Sequence, residues 1–199
     1  MINSCLRCDL PCGDVNKDFI VPKADVQPGE IRLAMISESP PPNSKDYYYQ
    51  SSSGSFFGTT QTALGDAGCL VENYADISRK GIYLTTAIKC SKRGYLVKAD
   101  TLKRCSGILE MELAQFGNLR IVMCMGDFAI KAVNYISKRR FKTLAIPSGS
   151  TYKIRQGTYE LNGIRYFPSY TQTGESFDVE RGKRTMIAED IRKALSLLE

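Results

Sequence analysis

The residue in the first half of the chain whose type and place best suit chemistry is Glu38. It directly follows the apolar run "IRLAMIS" (31–37), which is typical of a buried strand, and it precedes three prolines, Pro40 to Pro42. A carboxylate at the tip of a core strand could stabilise a positively charged intermediate or orient a water molecule. On the residues alone, an ordinary exposed loop acid stays open as the alternative.

The chain contains no histidine. This excludes a Ser-His-Asp triad, an imidazole general base and a zinc site that mixes cysteine with histidine. Any chemistry within these residues must rely on carboxylates, hydroxyls, amines, thiols or a bound cofactor.

Five of the seven cysteines have positions that could hold a metal centre. Cys5 and Cys8 form a C-x2-C pair, and Cys12 follows closely. Cys90 comes after a predicted strand, and Cys105 lies one turn into the next predicted helix. Two thiols in a loop and two more across a strand–helix connection could close one four-thiolate site, which both zinc and an iron–sulfur cluster accept. The spacing alone slightly favours zinc.

The remaining two cysteines, Cys69 and Cys124, have apolar neighbours and are predicted to lie in the core.

The N-terminus lacks the apolar segment of a signal peptide, and no apolar run approaches the ~20 residues of a membrane span. We therefore expect a cytoplasmic protein, in which cysteines serve metal binding or core packing more than disulfides.

Composition predicts one globular domain over residues 1–199, which we expect to be a monomer. The hydrophobic share is 43% and the charged share 24%, both ordinary for a globular protein. The net charge is +6, and residues 120–199 carry the whole basic excess. This one-sided bias favours a polyanion as partner, nucleic acid first, although a merely solvated basic surface remains the alternative.

Three short apolar runs predict buried parallel strands at 31–37, 81–88 and 120–126. Helical patterns lie between them, so the predicted fold class is α/β: a three-layer α/β/α sandwich around a mainly parallel sheet. Ligands of such folds bind beyond the carboxyl ends of the strands. Glu38 and Lys89 both fall at this edge.

Local signals set the expected bounds of the other elements. Asp100 is predicted to cap a helix that Gly117 ends. The stretches 127–137 and 183–198 read as further helices, and 151–170 as a hairpin that turns at an Asn-Gly pair.

Seven further segments of the chain can be compared with known motifs: "CLRCDL" (5–10), "MISESPPP" (35–42), "GSFFG" (54–58), "YLTTAIKC" (83–90), "LKRCSGILEMEL" (102–113), "YFPSY" (166–170) and "RGKRTMIAEDIRKALSLL" (181–198). In this order they resemble motifs of the uracil-DNA glycosylase superfamily, and most closely its iron–sulfur branch, family 4. "MISESPPP" stands where that family has Gly-Glu-Ala-Pro-Gly, and "YFPSY" where it has Tyr-His-Pro followed by Ala or Ser. The resemblance implies the fold of that superfamily and a DNA glycosylase activity.

The same resemblance implies a [4Fe–4S] cluster held by Cys5, Cys8, Cys90 and Cys105, which overrides the slight preference for zinc. In this branch the cluster is structural and ties the N-terminal segment to the central loop. Cys12 is then spare, or it replaces one of its neighbours as a ligand.

A glycosylase flips its target nucleotide into a pocket and breaks the N-glycosidic bond through a cation-like sugar. The resemblance assigns Glu38 to the carboxylate that stabilises this sugar, with Asp46 as a weaker alternative acid. Phe56 falls at the aromatic residue that holds the flipped base, with core packing as its alternative. Ser39, through its backbone, and Ser169 are further candidates for the base pocket.

Two positions depart from the family. Thr86 stands where an asparagine pairs with the uracil edge, and Phe167 where a histidine stabilises the leaving base. A hydroxyl cannot reproduce the two-point pairing of an amide. We therefore expect a monofunctional glycosylase for a non-canonical or modified base rather than plain uracil, with a hypermodified pyrimidine of phage DNA, and hence phage defence, as one candidate. A catalytically silent DNA-binding module and an ordinary uracil-excising repair enzyme remain alternatives.

The expected DNA contacts fall into three groups. Serine hydroxyls and backbone N–H groups before "GSFFG" could hold phosphates, a loop after "YFPSY" could wedge into the duplex, and basic residues open the last helix. In this order the residues are Ser51, Ser52 and Ser53; Tyr170 and Gln172; and Arg181, Lys183 and Arg184.

Overall fold

The computed structural model describes residues 2–9 and 12–198, except the side chains of Glu175 and Ser176. Within this part, the chain forms one five-stranded sheet. Every residue of the first three strands is buried, as their apolar sequences predict. The strands are β1 (Leu33–Ser37), β2 (Ile82–Thr86), β3 (Ile121–Met125), β4 (Tyr159–Leu161) and β5 (Ile164–Ser169).

The sheet has the strand order β2-β1-β3-β5-β4. β1 pairs in parallel with β2 and β3, β3 pairs in parallel with β5, and only β4 runs antiparallel to its described neighbour. The chain leaves β1 towards β2 on one side and then crosses to β3 on the other. The connections therefore diverge between β1 and β3, which is the switch point where open α/β sheets bind ligands.

Helices cover both faces of the sheet, which confirms the predicted three-layer α/β class. Alternate residues of β1 show the division, because Leu33 and Met35 pack into one apolar cluster and Ile36 into another. α1, α2, α6 and α7 cover the first face, and α3, α4 and α5 cover the second. The helices are α1 (Ser55–Asp66), α2 (Tyr74–Arg79), α3 (Ala99–Leu113), α4 (Asp127–Phe141), α5 (Thr151–Ile154), α6 (Glu175–Val179) and α7 (Arg181–Leu195).

The predicted cap of α3 is wrong. Lys98 is the N-cap residue, Asp100 lies inside the first turn, and the helix ends at Leu113 before it reaches Gly117. The carboxylate that serves this helix end comes from Asp14, which accepts the Lys98 N–H at 2.7 Å and the Thr101 hydroxyl at 2.8 Å. A partner so distant in sequence leaves no local signal.

Two other expectations need correction. Residues 151–154 form α5, so the hairpin occupies only the later part of 151–170. Cys69 is half-buried against the core cluster instead of lying fully inside it, whereas Cys124 is completely buried as predicted.

Over the described residues, no helix has both the length and the apolar character that crossing a bilayer requires.

Candidate active site

Glu38 lies at the switch point of the sheet, one residue beyond β1. Its Oε1 accepts a hydrogen bond from the Phe128 N–H at 3.4 Å, and its Oε2 is 3.3 Å from the Lys92 Nζ. Phe128 belongs to the first turn of α4, where free N–H groups and the helix dipole favour a negative charge. The carboxylate is about a quarter exposed, so it is held by the protein and still reachable from solvent.

Gly126 makes room for this arrangement. It lies between β3 and α4 with a φ of +108°, and a Cβ built there would meet the Cγ and Oε1 of Glu38 at 2.8 Å. Only glycine offers both the backbone conformation and the space. The residue therefore fixes how closely Glu38 approaches the start of α4.

Replacing Gly126 by alanine is expected to lower the free energy of unfolding by roughly 2 to 4 kcal/mol, since it adds backbone strain and a close contact with Glu38. Urea denaturation measures the change. Gly107→Ala is the matched control, because a Cβ at Gly107 in α3 meets nothing within 4 Å. Its stability should stay the same or rise by up to about 1 kcal/mol. Equal effects of the two variants would contradict the packing role of Gly126.

Glu38 opens into a cleft of about 910 Å³. Asp46 and Phe56 line the same cleft, together with Ser39 and the three prolines. Asp46 also accepts the Ser55 N–H at 3.5 Å, at the start of α1. The structure therefore brings together four of the residues that the sequence singled out, along with Lys92 and Arg93, which it did not.

Tyr47 and Tyr48 fill the space beneath Phe56. Both are completely buried, and the Tyr48 ring centroid lies 5.2 Å from that of Phe56. Their hydroxyls form hydrogen bonds with side chains of the sheet. The Tyr47 hydroxyl oxygen lies 3.1 Å from the Thr86 Oγ1, and the Tyr48 hydroxyl oxygen lies 2.7 Å from the Ser37 Oγ. Burial raises the pKa of Tyr48 to about 12, so its hydroxyl stays protonated. Both tyrosines are thus built into the core.

Three candidates for the base pocket do not line this cleft. Thr86 is buried beneath Tyr47. Phe167 lies within β5 with its ring in the core, 5.5 Å from the Arg165 guanidinium. Ser169 is buried and donates to the Asp190 Oδ2 at 2.7 Å, which ties β5 to α7.

The loop after β5 also differs from what its polar sequence indicates. Gln172 is completely buried: its Nε2 donates to the Tyr48 hydroxyl at 3.1 Å and its Oε1 accepts from the Ser37 hydroxyl at 3.2 Å. Tyr170 is half-buried, with the Lys183 Nζ 5.4 Å from its ring centroid. In this conformation neither side chain projects from the surface as a wedge would.

Some of the other side chains expected to contact DNA are exposed, and others are bonded to neighbouring side chains of the protein. Ser52 and Ser53 are exposed, while Ser51 is partly buried and bonded to the Ser53 hydroxyl at 2.8 Å. Lys183 is bonded to Glu180. Arg181 is exposed at the start of α7.

Arg184 forms a two-point ion pair with Asp66, with Nε and Nη2 at 2.5 and 3.0 Å from the carboxylate. It therefore joins α7 to the end of α1. The hydrogen bond from Arg184, partly opposed by burial, lowers the pKa of Asp66 below its usual value.

This ion pair predicts a pH dependence. A depressed folded-state pKa stabilises the fold above the unfolded value, about pH 4, and the gain is lost as the pH falls through the folded pKa. The unfolding free energies of the wild type and Asp66→Asn, compared from about pH 7 to about pH 3, should converge at the acid end. A difference that is constant with pH would show that Asp66 acts otherwise than through its charge.

The cysteines converge on a second cavity, of about 270 Å³, behind the loop after β2. Cys8, Cys12, Cys90 and Cys105 line it, whereas Cys5 is exposed to solvent. Burial raises the pKa of Cys90 to about 12, with further contributions from Cys105 and Asp18 and then from Cys8 and Cys12. These thiols are therefore neighbours. Among the described residues, however, no three Cys, Asp or Glu side chains are grouped closely enough to hold a single metal ion.

Lys89 lines the cysteine cavity from the end of β2. It is completely buried in an ion pair with Glu112, and its Nζ also donates to the Thr85 hydroxyl at 3.0 Å and the Thr86 carbonyl at 2.5 Å. Its place at the edge of the sheet was visible in the sequence, but its burial was not. A buried ion pair of this kind fixes the end of β2 and would be costly to break at one partner.

Comparison with known proteins decides the family. The family model of the uracil DNA glycosylase superfamily matches residues 24–185, most of the chain. This chain belongs to the uracil-DNA glycosylase superfamily. Members of this superfamily are generally DNA glycosylases, so the family indicates base-excision chemistry on DNA. The matched region contains Glu38, Cys90 and Cys105 and begins after Cys12. No curated protein matches the chain.

Proposed function

We propose that this superfamily member is a monofunctional DNA glycosylase that uses Glu38 to release a modified base rather than plain uracil. The observation that carries the proposal is the carboxylate itself. It lies at the switch point of the sheet, held between the N-terminus of α4 and Lys92, and it faces an open cleft. A merely structural loop acid would not need access to a cleft.

The chemistry follows from the position of Glu38. When the bond between C1′ and the base nitrogen breaks, the electron pair leaves with the base and the sugar becomes cation-like. The carboxylate stabilises this positive charge and orients a water molecule, which adds to C1′ and passes one proton to the Glu38 carboxylate. Lys92, 3.3 Å from Glu38, is our candidate for the donor to the departing base, a part that histidine cannot take here.

Two features support a base other than uracil. The family resemblance places the uracil-pairing amide at Thr86. The Thr86 side chain is covered by Tyr47 and does not line the cleft. The cleft itself, about 910 Å³, is within the usual range of ligand sites and is walled by Pro40, Pro41 and Pro42, which offer no N–H donors. A hypermodified pyrimidine of phage DNA, with a bulky substituent and a need for fewer pairing groups, suits such a site.

We also propose that the cysteine cavity holds a [4Fe–4S] cluster. A zinc ion needs its sulfur ligands about 2.3 Å from one point, and the described cysteines surround a cavity instead of meeting at one. A cluster lies between its thiolates and suits this arrangement better. The lining favours Cys8, Cys12, Cys90 and Cys105 as ligands, with Cys12 in place of Cys5. Bound there, the cluster would supply the positive charge that buried thiolates need and would fasten the N-terminal segment to the loop after β2.

The glycosylase proposal is tested with purified protein and matched duplexes that hold uracil, hypoxanthine, hydroxymethylcytosine or glucosylated hydroxymethylcytosine. Abasic-site formation from at least one modified base, faster than from uracil, supports it. Salt-dependent DNA binding without release of any base would instead identify a catalytically silent module on the same fold.

A further inference from the structure

We propose that Tyr95 and Leu96, rather than Tyr170 and Gln172, form the wedge that this protein inserts into duplex DNA. The inference rests on the proposed glycosylase function and concerns how the nucleotide reaches Glu38. None of the large hydrophobic side chains in the described part of the chain is more exposed than Tyr95, at 96%, and Leu96 follows it at 85%. Two adjacent apolar side chains fully in solvent need a reason beyond folding.

The position of Tyr95, which Leu96 directly follows in the chain, fits a wedge. Residues 92–95 line the same cleft as Glu38, together with Thr171 and Gly174 of the loop after β5. A side chain at the rim of this cleft is therefore beside any nucleotide whose sugar reaches the carboxylate. Proteins that unstack DNA commonly insert apolar side chains between base steps in this way.

The charge around the pair fits DNA as the occupant. The loop from Ser91 to Lys98 has the sequence "SKRGYLVK", with three cations and no acid. Lys92 is paired with Glu38, whereas Arg93 and Lys98, on either side of Tyr95 and Leu96, are exposed. Cations that flank an apolar tip can hold the phosphates on either side of an opened base step. An apolar protein partner would gain little from such neighbours.

The loop is also anchored at both ends, which an inserting tip requires. At its start, Ser91 is buried with its N–H bonded to Asp18 at 2.9 Å, and the Arg93 N–H donates to the Asp14 carbonyl at 3.2 Å. At its end, the Lys98 N–H donates to the Asp14 carboxylate at 2.7 Å. Asp14 thus binds both ends of the loop through hydrogen bonds, and the tip between them projects into solvent.

The loop after β5 is arranged in the opposite way. Insertion of Gln172 would break both side-chain hydrogen bonds of a completely buried amide, and insertion of Tyr170 would pull a half-buried ring out of the core cluster. These costs are absent at Tyr95 and Leu96. The exposed pair can enter DNA without any rearrangement of the core.

The test uses the full chain and a double variant, Tyr95→Ala with Leu96→Ala. Tyr152→Ala is the matched control, since Tyr152 is an exposed tyrosine (69%) that does not line the cleft. The probe is a duplex with a tetrahydrofuran abasic analogue next to 2-aminopurine, whose fluorescence changes when its stacking is disturbed. We expect the double variant to lose most of this fluorescence change and the Tyr152 control to keep it. A double variant that keeps the full change, or its loss in Tyr170→Ala instead, would overturn the proposal.

A second readout separates the wedge from the chemistry. Single strands need no unstacking of a duplex, so base release by the double variant should fall about tenfold on duplex DNA and less than about twofold on single-stranded DNA. Equal losses on both substrates would overturn the wedge and leave the glycosylase function intact. A fluorescence change that depends on Tyr95 and Leu96, without base release from any substrate, would support the wedge and contradict the glycosylase.

Discussion

Glu38→Gln is expected to reduce base release by roughly 10²- to 10³-fold on whichever modified base the protein accepts. The amide keeps the shape of the side chain and can still accept the Phe128 N–H, but it lacks the charge that stabilises a cation-like sugar. Loss of a negative charge beside the DNA should leave binding unchanged or slightly tighter. Single-turnover measurement of abasic-site formation gives the rate, and fluorescence anisotropy gives the affinity.

Asp46→Asn is the matched control for this prediction. Asp46 lines the same cleft and is a second acid near the site, but its carboxylate already accepts a hydrogen bond from the Ser55 N–H at the start of α1. Its replacement should cost less than about tenfold in rate. If Asp46→Asn abolished base release while Glu38→Gln kept it, the two carboxylates would have to exchange roles.

Cys12→Ser is expected to remove the proposed [4Fe–4S] cluster, whereas Cys5→Ser should leave it in place. Cys12 lines the cavity with Cys8, Cys90 and Cys105, and Cys5 is exposed. The iron content should fall from roughly four atoms per chain to fewer than one in Cys12→Ser and stay near four in Cys5→Ser. Elemental analysis and the broad visible absorbance of the cluster measure this without any assay of activity.

Two outcomes would contradict the assignment of the cluster. Loss of iron in Cys5→Ser with retention in Cys12→Ser would restore the ligand set that the family resemblance implies. Colourless wild-type protein that contains zinc would exclude the cluster itself.

The cluster is also expected to affect the proposed wedge, because Asn16 of the N-terminal segment is hydrogen-bonded to Ser91 at the start of the wedge loop. Loss of the cluster should therefore weaken base release from duplexes more than from single strands.

The central strands and the position of the candidate site at the edge of the sheet could be predicted from sequence because both depend on local patterns. Continuous apolar runs mark strands that are buried on both faces, and the first polar residue after such a run, Glu38, falls at the edge where α/β folds bind ligands. The hairpin likewise followed from its Asn-Gly turn.

The features that escaped prediction depend on partners distant in sequence. Asp14 serves the start of α3 from 84 residues away. Gln172 lies in a polar stretch typical of an exposed loop, yet it is buried because Ser37 and Tyr48 satisfy its amide. The two tyrosines at 47 and 48 gave no periodic signal, and their role beneath Phe56 became visible only when the strands were assembled.

Base release from two matched duplexes, one with uracil and one with glucosylated hydroxymethylcytosine, tests the central claim most directly. Wild-type protein and Glu38→Gln are incubated with each duplex, and abasic sites are counted by alkaline cleavage. The proposed function predicts abasic sites from the modified duplex with wild-type protein, few from the uracil duplex, and almost none from either with Glu38→Gln. Rapid release of uracil, or release of the modified base that Glu38→Gln leaves undiminished, would contradict it.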